Sequence, residues 1–439
     1  MKNLTKIMMG LSIACFGASG LSWSQTDSVP RSIELTSILT EALAHNPDIQ
    51  STKAEWQASR KKVWQETALP DPMVGMDLMG EMTETRVGPQ ENRMMVSQEI
   101  PFPLKLIKKG QIANDEARAA EMRYLATVRD TLNEISKLYY DLYYTDASIA
   151  VIEEVKTILK HFESVAQSRY ANLKASQRDV AKAQAEVSLV LEQLFSLEQK
   201  RHSLAAQLNA WLDRDPMGEV GQTVLPEKPT LPQSIYELVE MAVKHREEIK
   251  AMEAMVQKSY RERTLARLEW IPDLNVGFSY TWVGSGETTS ANDGQDSWMF
   301  PLRINVPIWQ NRIIPKIQET NELIKANEAK LTEAKNQAYY EVKDAYYRYD
   351  SAAKIVELYE TAILPQAELV LRSDQAGYEG GEADFLNLLD SERVYLNAKL
   401  THVRLVTELF KSYLDIERST GLDLERHVSQ TVQTEAHHE

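Results

Sequence analysis

Ile271-Pro272-Asp273-Leu274-Asn275-Val276-Gly277-Phe278-Ser279-Tyr280-Thr281-Trp282 ends one kind of structure and begins another. Pro272 closes the helical pattern that runs up to it, and from Leu274 apolar and polar residues alternate. A polar, glycine-bearing loop from Gly284 to Ser297 leads to a partner run. There Trp298, Phe300, Leu302, Ile304 and Val306 stand against Met299, Pro301, Arg303 and Asn305. A period of two over about ten residues, with aromatics near the ends, is what a membrane β-barrel strand requires. The same alternation also fits a hairpin lying on a soluble helical core.

The stretch has a counterpart about 200 residues earlier. Leu69-Pro70-Asp71 matches Ile271-Pro272-Asp273, and Ile100-Pro101-Phe102 matches Val306-Pro307-Ile308. Upstream, His45 and Ile49 match His245 and Ile249; downstream, Tyr139-Tyr140 matches Tyr346-Tyr347. The paired histidines fit helix ends. The first hairpin is the weaker pattern, carried by Val74, Met76 and Leu78, then Met94, Val96 and Ile100.

Between the hairpins the chain reads as helix. Ile33 to His45 and Asp48 to Ala68 are separated by Asn46-Pro47, and Ser234 to Lys244 and Glu248 to Glu269 repeat the arrangement. From Lys108 to Tyr170 the only proline or glycine is Gly110, so one helix of about 90 Å is expected. Val180, Ala183, Val187, Val190, Leu194 and Leu197, then Leu204, Leu208 and Trp211, follow a heptad broken at Arg201. Leu396, Leu400, Val403, Thr407, Phe410 and Leu414 do the same in the second copy, which means near-parallel helices packed as in a coiled coil. The turns of these hairpins fall at Asn172 to Gln177 and Gly377 to Asp384, with Leu173 in the place of Gly381.

The expected organisation is a signal peptide at 1–24, a first helix–hairpin–helix repeat at 25–212, a linker at 213–232, a second repeat at 233–420 and a polar tail at 421–439. Lys2 and Lys6 precede the apolar run Ile7 to Leu21, which is short for a membrane span, and Ser22-Trp23-Ser24 suits cleavage after Ser24. Lipoprotein processing at Cys15 is the alternative. Cleavage after Ser24 would remove the only cysteine, leaving packing to stabilise the mature chain. The 49 basic against 64 acidic residues give −15, which argues against a nucleic-acid surface.

In a bilayer, strands must close into a barrel because every backbone group needs a partner. Four strands do not close; two chains would supply roughly eight and three roughly twelve, within the known range. The expected fold class is therefore mainly α with β: long antiparallel coiled-coil helices forming an α-barrel, plus four strands given to an oligomeric transmembrane β-barrel. The rival is a periplasmic coiled-coil scaffold with hairpins packed on its own helices.

This layout resembles the TolC-type outer-membrane efflux channel family over nearly the whole mature chain, about Ile33 to Gly421. The resemblance rests on Ala42-Leu43 with Asn46-Pro47, Leu69-Pro70-Asp71-Pro72, Gln98-Glu99-Ile100-Pro101-Phe102-Pro103, Tyr378 with Gly381, and Asn387-Leu388-Leu389-Asp390. It implies a homotrimer in outer-membrane lipid, with a periplasmic tunnel meeting an adaptor (a membrane fusion protein) and an inner-membrane pump of the RND type. It further implies a passive duct for small solutes, with metal, drug or type I protein export left open. Two departures stand out: Leu173 where the family has glycine, and Pro103-Leu104-Lys105-Leu106 where the heavy-metal branch usually continues Gly-Lys-Leu.

No catalytic motif, cofactor motif or nucleotide loop is present in the sequence. By the resemblance, the entrance tip that meets the adaptor holds Tyr170, Leu173, Ser176, Tyr378, Gly381, Glu382 and Asp384. Carboxylates there, with Asp374 and Glu379, would favour cations. Met73, Met76, Met79 and Met82 recur every third residue before Met94 and Met95. Thioethers suit soft ions, and strand alternation would set Met73 and Met79 on one face as candidate metal ligands. The other reading is apolar filling of the barrel. His427, His437 and His438 in the tail are expected to be solvated.

Overall fold

The computed structural model describes residues 32–287 and 289–421. The expected signal segment, Cys15 and the tail histidines lie outside the described residues. Each copy opens with a helix pair: α1 (Leu35–His45) with α2 (Pro47–Thr67), and α5 (Ile235–His245) with α6 (Glu247–Leu268). Asn46 starts α2 by accepting the Ile49 N–H at 3.1 Å, and Pro47 at the first helical position has no N–H to leave unpaired. Arg246, its counterpart, makes no side-chain cap; Glu247 and Glu248 place negative charge in that first turn instead. His45 and His245 are the last residues of α1 and α5.

After the first hairpin, α3 (Pro103–Ala171) is one unbroken helix of 69 residues, about 100 Å long, and α4 (Gln177–Trp211) returns along it. In the second copy the outgoing helix is divided into α7 (Gln310–Leu358) and α8 (Leu364–Gly380) by a π turn at Tyr359–Ile363; α9 (Phe385–Thr420) returns. Pro365, which has no N–H to give to the preceding turn, stands two residues past the π turn. The expected heptads face inward. Ile152, Val155, Leu159 and Phe162 of α3 pack with Val190 and Leu194 of α4 and with Leu388 and Leu396 of α9. The heptad breaks at Arg201 because that side chain pairs with Asp146 at 2.6 Å and donates to the carbonyls of Val220 and Gly221, pinning the segment between copies.

The strands are β1 (Met73–Thr85), β2 (Gly88–Ile100), β3 (Leu274–Val283), β4 (Ser297–Met299) and β5 (Leu302–Ile304). They form one antiparallel sheet in the order β1-β2-β3, with β4 and β5 both on the far side of β3. One expectation needs correction. The run from Trp298 to Val306 is not one strand, because Phe300 and Pro301 interrupt it, although the Pro301 carbonyl still accepts the Gly277 N–H at 2.9 Å. The first hairpin, weaker in pattern, has the longer strands, at 13 residues each.

The strands make their main contacts with one another, while α2, α3, α6 and α7 form a row side by side in that order. This is not the scaffold arrangement, in which the hairpins would lie against the helices. Among the described residues no helix is long and apolar enough to cross a membrane.

Candidate functional site

The sheet is turned inside out relative to a soluble protein. On β3 the polar side is covered, with Ser279 and Thr281 buried, while Phe278 on the apolar side is exposed. Register carries this across the sheet. Val74, Met76 and Leu78 pair with Val96, Met94 and Asn92; these pair with Phe278, Tyr280 and Trp282; Tyr280 pairs with Trp298. Val74, Met76, Leu78, Trp298, Leu302 and Ile304 are all exposed. A contiguous exposed apolar face of this kind marks a surface made for lipid or another chain. The opposite face carries Asp77, Arg93 and Thr281 in one row, with Arg93 Nε donating to the Thr281 hydroxyl at 3.3 Å.

Met73 lies on that polar face, in register with Ser97 and Gly277. Pairing is regular from Met73 to Leu78 and shifts between Leu78 and Thr83, so Met79 stands at the start of the irregular stretch. The methionine on the same face that lies diagonal to Met73 is Met95, opposite Gly75. Among the described residues no group of three or more His, Cys, Asp or Glu side chains is placed to hold a metal ion.

At the far end of the helices the two turns lie together. Tyr170 and Leu173 are exposed, and Leu173 adopts φ +57° as Gly381 adopts φ +87°. Ser176 starts α4 through a reciprocal capping box with Asp179, whose carboxylate accepts the Ser176 N–H at 3.1 Å. Glu382 and Asp384 are exposed at the second turn.

Tyr378, expected among the contact residues, is 3% exposed. Its ring lies 5.1 Å from Phe385 and under the Arg169 guanidinium at 4.7 Å. Arg169 also donates to the Tyr378 and Glu379 carbonyls, so it ties the first turn to the second. No residue pattern marks this role, since a lone arginine near a helix end reads as a solvated charge.

Glu392 on α9 is 1% exposed, and its Oε1 has no hydrogen-bond partner. Burial, with the Glu186 carboxylate nearby and against the pull of Arg393, pushes its carboxyl up to about 7. Glu248, at the start of α6, goes the other way. Burial opposes its charge, yet the hydrogen bond and charge of Arg418, with Arg246 at 3.1 Å, hold it at about 2.

The profile of the outer membrane efflux protein family matches residues 38–213 and 238–422. The chain is 22% identical over 401 residues to the cobalt-zinc-cadmium resistance protein CzcC of Cupriavidus metallidurans, covering 89% of this chain and 90% of that protein. Its fold is similar to that of CusC, with a TM-score of 0.76 at 15% identity over 89% of this chain and 92% of CusC. It is also similar to the outer membrane protein VceC of Vibrio cholerae, with a TM-score of 0.74 at 18% identity over 88% of this chain and 96% of VceC.

Proposed function

The chain belongs to the outer membrane efflux protein family, and we propose that it is the passive duct of a tripartite efflux system, built from three copies in outer-membrane lipid. A periplasmic adaptor would grip the helical tip, and an inner-membrane pump of the RND type would supply the energy. The observation that carries the reading is the sheet with its apolar side exposed, its polar side buried at Ser279 and Thr281 of β3, and both edges open. Unpaired strand edges in a bilayer cost several kcal/mol per orphaned backbone group, so such a sheet becomes stable only when other chains close it.

Metal cations are the solutes we favour. The similarity to a cobalt-zinc-cadmium resistance protein supports this, and so do the exposed Glu382 and Asp384 at the tip. The tip contacts proposed for the adaptor are Tyr170, Leu173, Ser176, Gly381, Glu382 and Asp384. Tyr378 would act from within, by shaping the turn.

Deleting the gene and measuring tolerance to cobalt, zinc and cadmium tests the cargo. Fractionation tests the duct: a heat-resistant oligomer in outer membranes that conducts ions in planar bilayers is expected. A soluble monomer would end the reading.

A further inference from the structure

The two hairpins each carry a glycine with a neighbouring side chain laid across it. Gly75 pairs with Met95 as Gly277 faces Pro301, whose carbonyl accepts its N–H. A Cβ at Gly277 would stand 3.1 Å from the Pro301 ring. One at Gly75 would stand 3.1 Å from Met95 Cγ and 3.5 Å from its sulfur. In the first hairpin the covering group is a thioether; in the second it is a proline ring. The residue two places before each glycine differs as well, Met73 on β1 against Asn275 on β3.

Met95 therefore leans from β2 over β1, on the polar side of the sheet, and its neighbour there is Met73. Diagonal neighbours on antiparallel strands stand about 7–8 Å apart, within reach of long side chains, and the lean of Met95 narrows the gap between the two sulfurs. Met73 is exposed and Met95 half-buried, so ions in water reach both. Ser97 pairs with Met73 and Ser279 with Met95, which sets hydroxyls beside the sulfurs. In the next row Asp77 stands opposite Arg93, so the fixed charges there balance.

We infer that Met73 and Met95 form a two-thioether site for a soft monovalent cation, Cu(I) or Ag(I). Thioether sulfur is a soft, neutral donor that selects such ions over divalent ions served by imidazole or carboxylate. An ion of low charge is held by few ligands, and Ser97 or water completes its shell. On the duct reading this face lines the lumen, and each copy would place one site on the ion's way out. That placement rests on the proposed duct; binding itself is a property of the single chain.

Other methionines of the sheet lack this arrangement. Met76 and Met94 pair directly, but on the apolar side, where an ion would leave water for lipid. Met299 shares the row and the face of Met95, yet Ser279 lies between them and Met95 leans the other way.

Equilibrium dialysis of the purified full chain against silver nitrate, in detergent and chloride-free buffer, tests the site. The parent chain is expected to hold one more Ag(I) than Met73→Leu or Met95→Leu. Leucine is close to methionine in size, so these variants should keep the fold, with circular dichroism as the check. Met299→Leu should match the parent, and a large excess of Zn(II) should not displace the ion. Gly75→Val keeps both sulfurs but fills the space under Met95, and should lose the ion as Met95→Leu does. Equal silver binding by the parent, Met73→Leu and Met95→Leu overturns the site, as does a Gly75→Val chain that keeps the ion or a parent that yields it to Zn(II). Equal binding by a protein that still conducts in planar bilayers strikes the site alone. A protein that holds the extra ion yet forms no channel strikes the duct and leaves the site standing.

Discussion

Leu173 and Gly381 close the two tip turns with the same left-handed backbone, φ +57° and +87°. The bonds around them also match. Lys174 N–H reaches the Arg169 carbonyl at 2.8 Å and Leu173 N–H the Tyr170 carbonyl at 2.9 Å; Glu382 N–H reaches Gly377 at 2.8 Å and Gly381 N–H reaches Tyr378 at 3.1 Å. Glycine takes this backbone freely, whereas a leucine there costs about 1–2 kcal/mol.

Leu173 is 94% exposed, so nothing within its own chain offsets that cost. Leu173→Gly should therefore stabilise the turn by up to about 1 kcal/mol, after allowing for the extra freedom glycine has when unfolded. The same change should weaken capture of the adaptor. Slower hydrogen exchange at the tip together with lower adaptor affinity is the expected pair of results. Faster exchange would mean that the leucine packs against something in its own assembly.

Arg169 and Tyr378 form the clasp between the turns. The Tyr378 hydroxyl is buried and has no hydrogen-bond partner, so Tyr378→Phe should leave stability unchanged or slightly improved. Arg169→Ala removes its bonds to two carbonyls and its stacking on the ring, and should loosen the tip by about 2–3 kcal/mol. Tip hydrogen exchange separates the two variants. A Tyr378→Phe variant as loose as Arg169→Ala would show that the hydroxyl has a partner in the assembled ring.

Glu392 makes the tip sensitive to pH. Folding raises its pKa from 4.5 to about 7, so between those values the folded chain holds a proton that the unfolded chain has lost. Stability should then fall as pH rises through this window, by up to about 3 kcal/mol, and level off above it. Glu392→Gln should remove the slope. The check is tip hydrogen exchange at about pH 5 and about pH 8, corrected for intrinsic rates. Identical slopes in both chains would assign the pH dependence elsewhere.

Periodicity made the long helices and the repeat legible, because burial of Val190, Leu194 and Leu396 follows directly from heptad spacing. It did not give what depends on neighbours. The break at Pro301 and the shifted pairing after Leu78 are local departures that an alternating pattern passes over. Burial of Tyr378 comes from Arg169, 209 positions away in sequence, and no spacing rule joins them. Leu173 was readable as an oddity from its glycine counterpart, and only the backbone showed what the substitution costs.

Glu382 and Asp384 project from the second turn into solvent, where three copies would repeat them around an entrance. Replacing both by alanine should lower the cation preference of a reconstituted channel, read as a reversal potential shifted toward zero in a salt gradient. Conductance at high salt should change little, because screening over a Debye length of about 3 Å at 1 M already mutes the carboxylates there. Unaltered reversal potentials at low salt would place the selectivity elsewhere in the tunnel.

Asp273 and Asp71 should part company on mutation, although the repeat makes them equivalents. Asp273 holds Lys105, which is 7% exposed, so Asp273→Ala leaves a buried ammonium without its carboxylate and should cost about 3 kcal/mol or more within each chain. Asp71 is exposed in the single chain, and Asp71→Ala should leave the isolated fold intact. If Asp71 serves a neighbouring chain, its loss should appear in the oligomer alone, as a lower temperature at which the ring dissociates in detergent. Circular dichroism follows the first effect and semi-native electrophoresis the second. Equal effects of the two variants on both measurements would mean that the borders of the chain do not reproduce its interior joint.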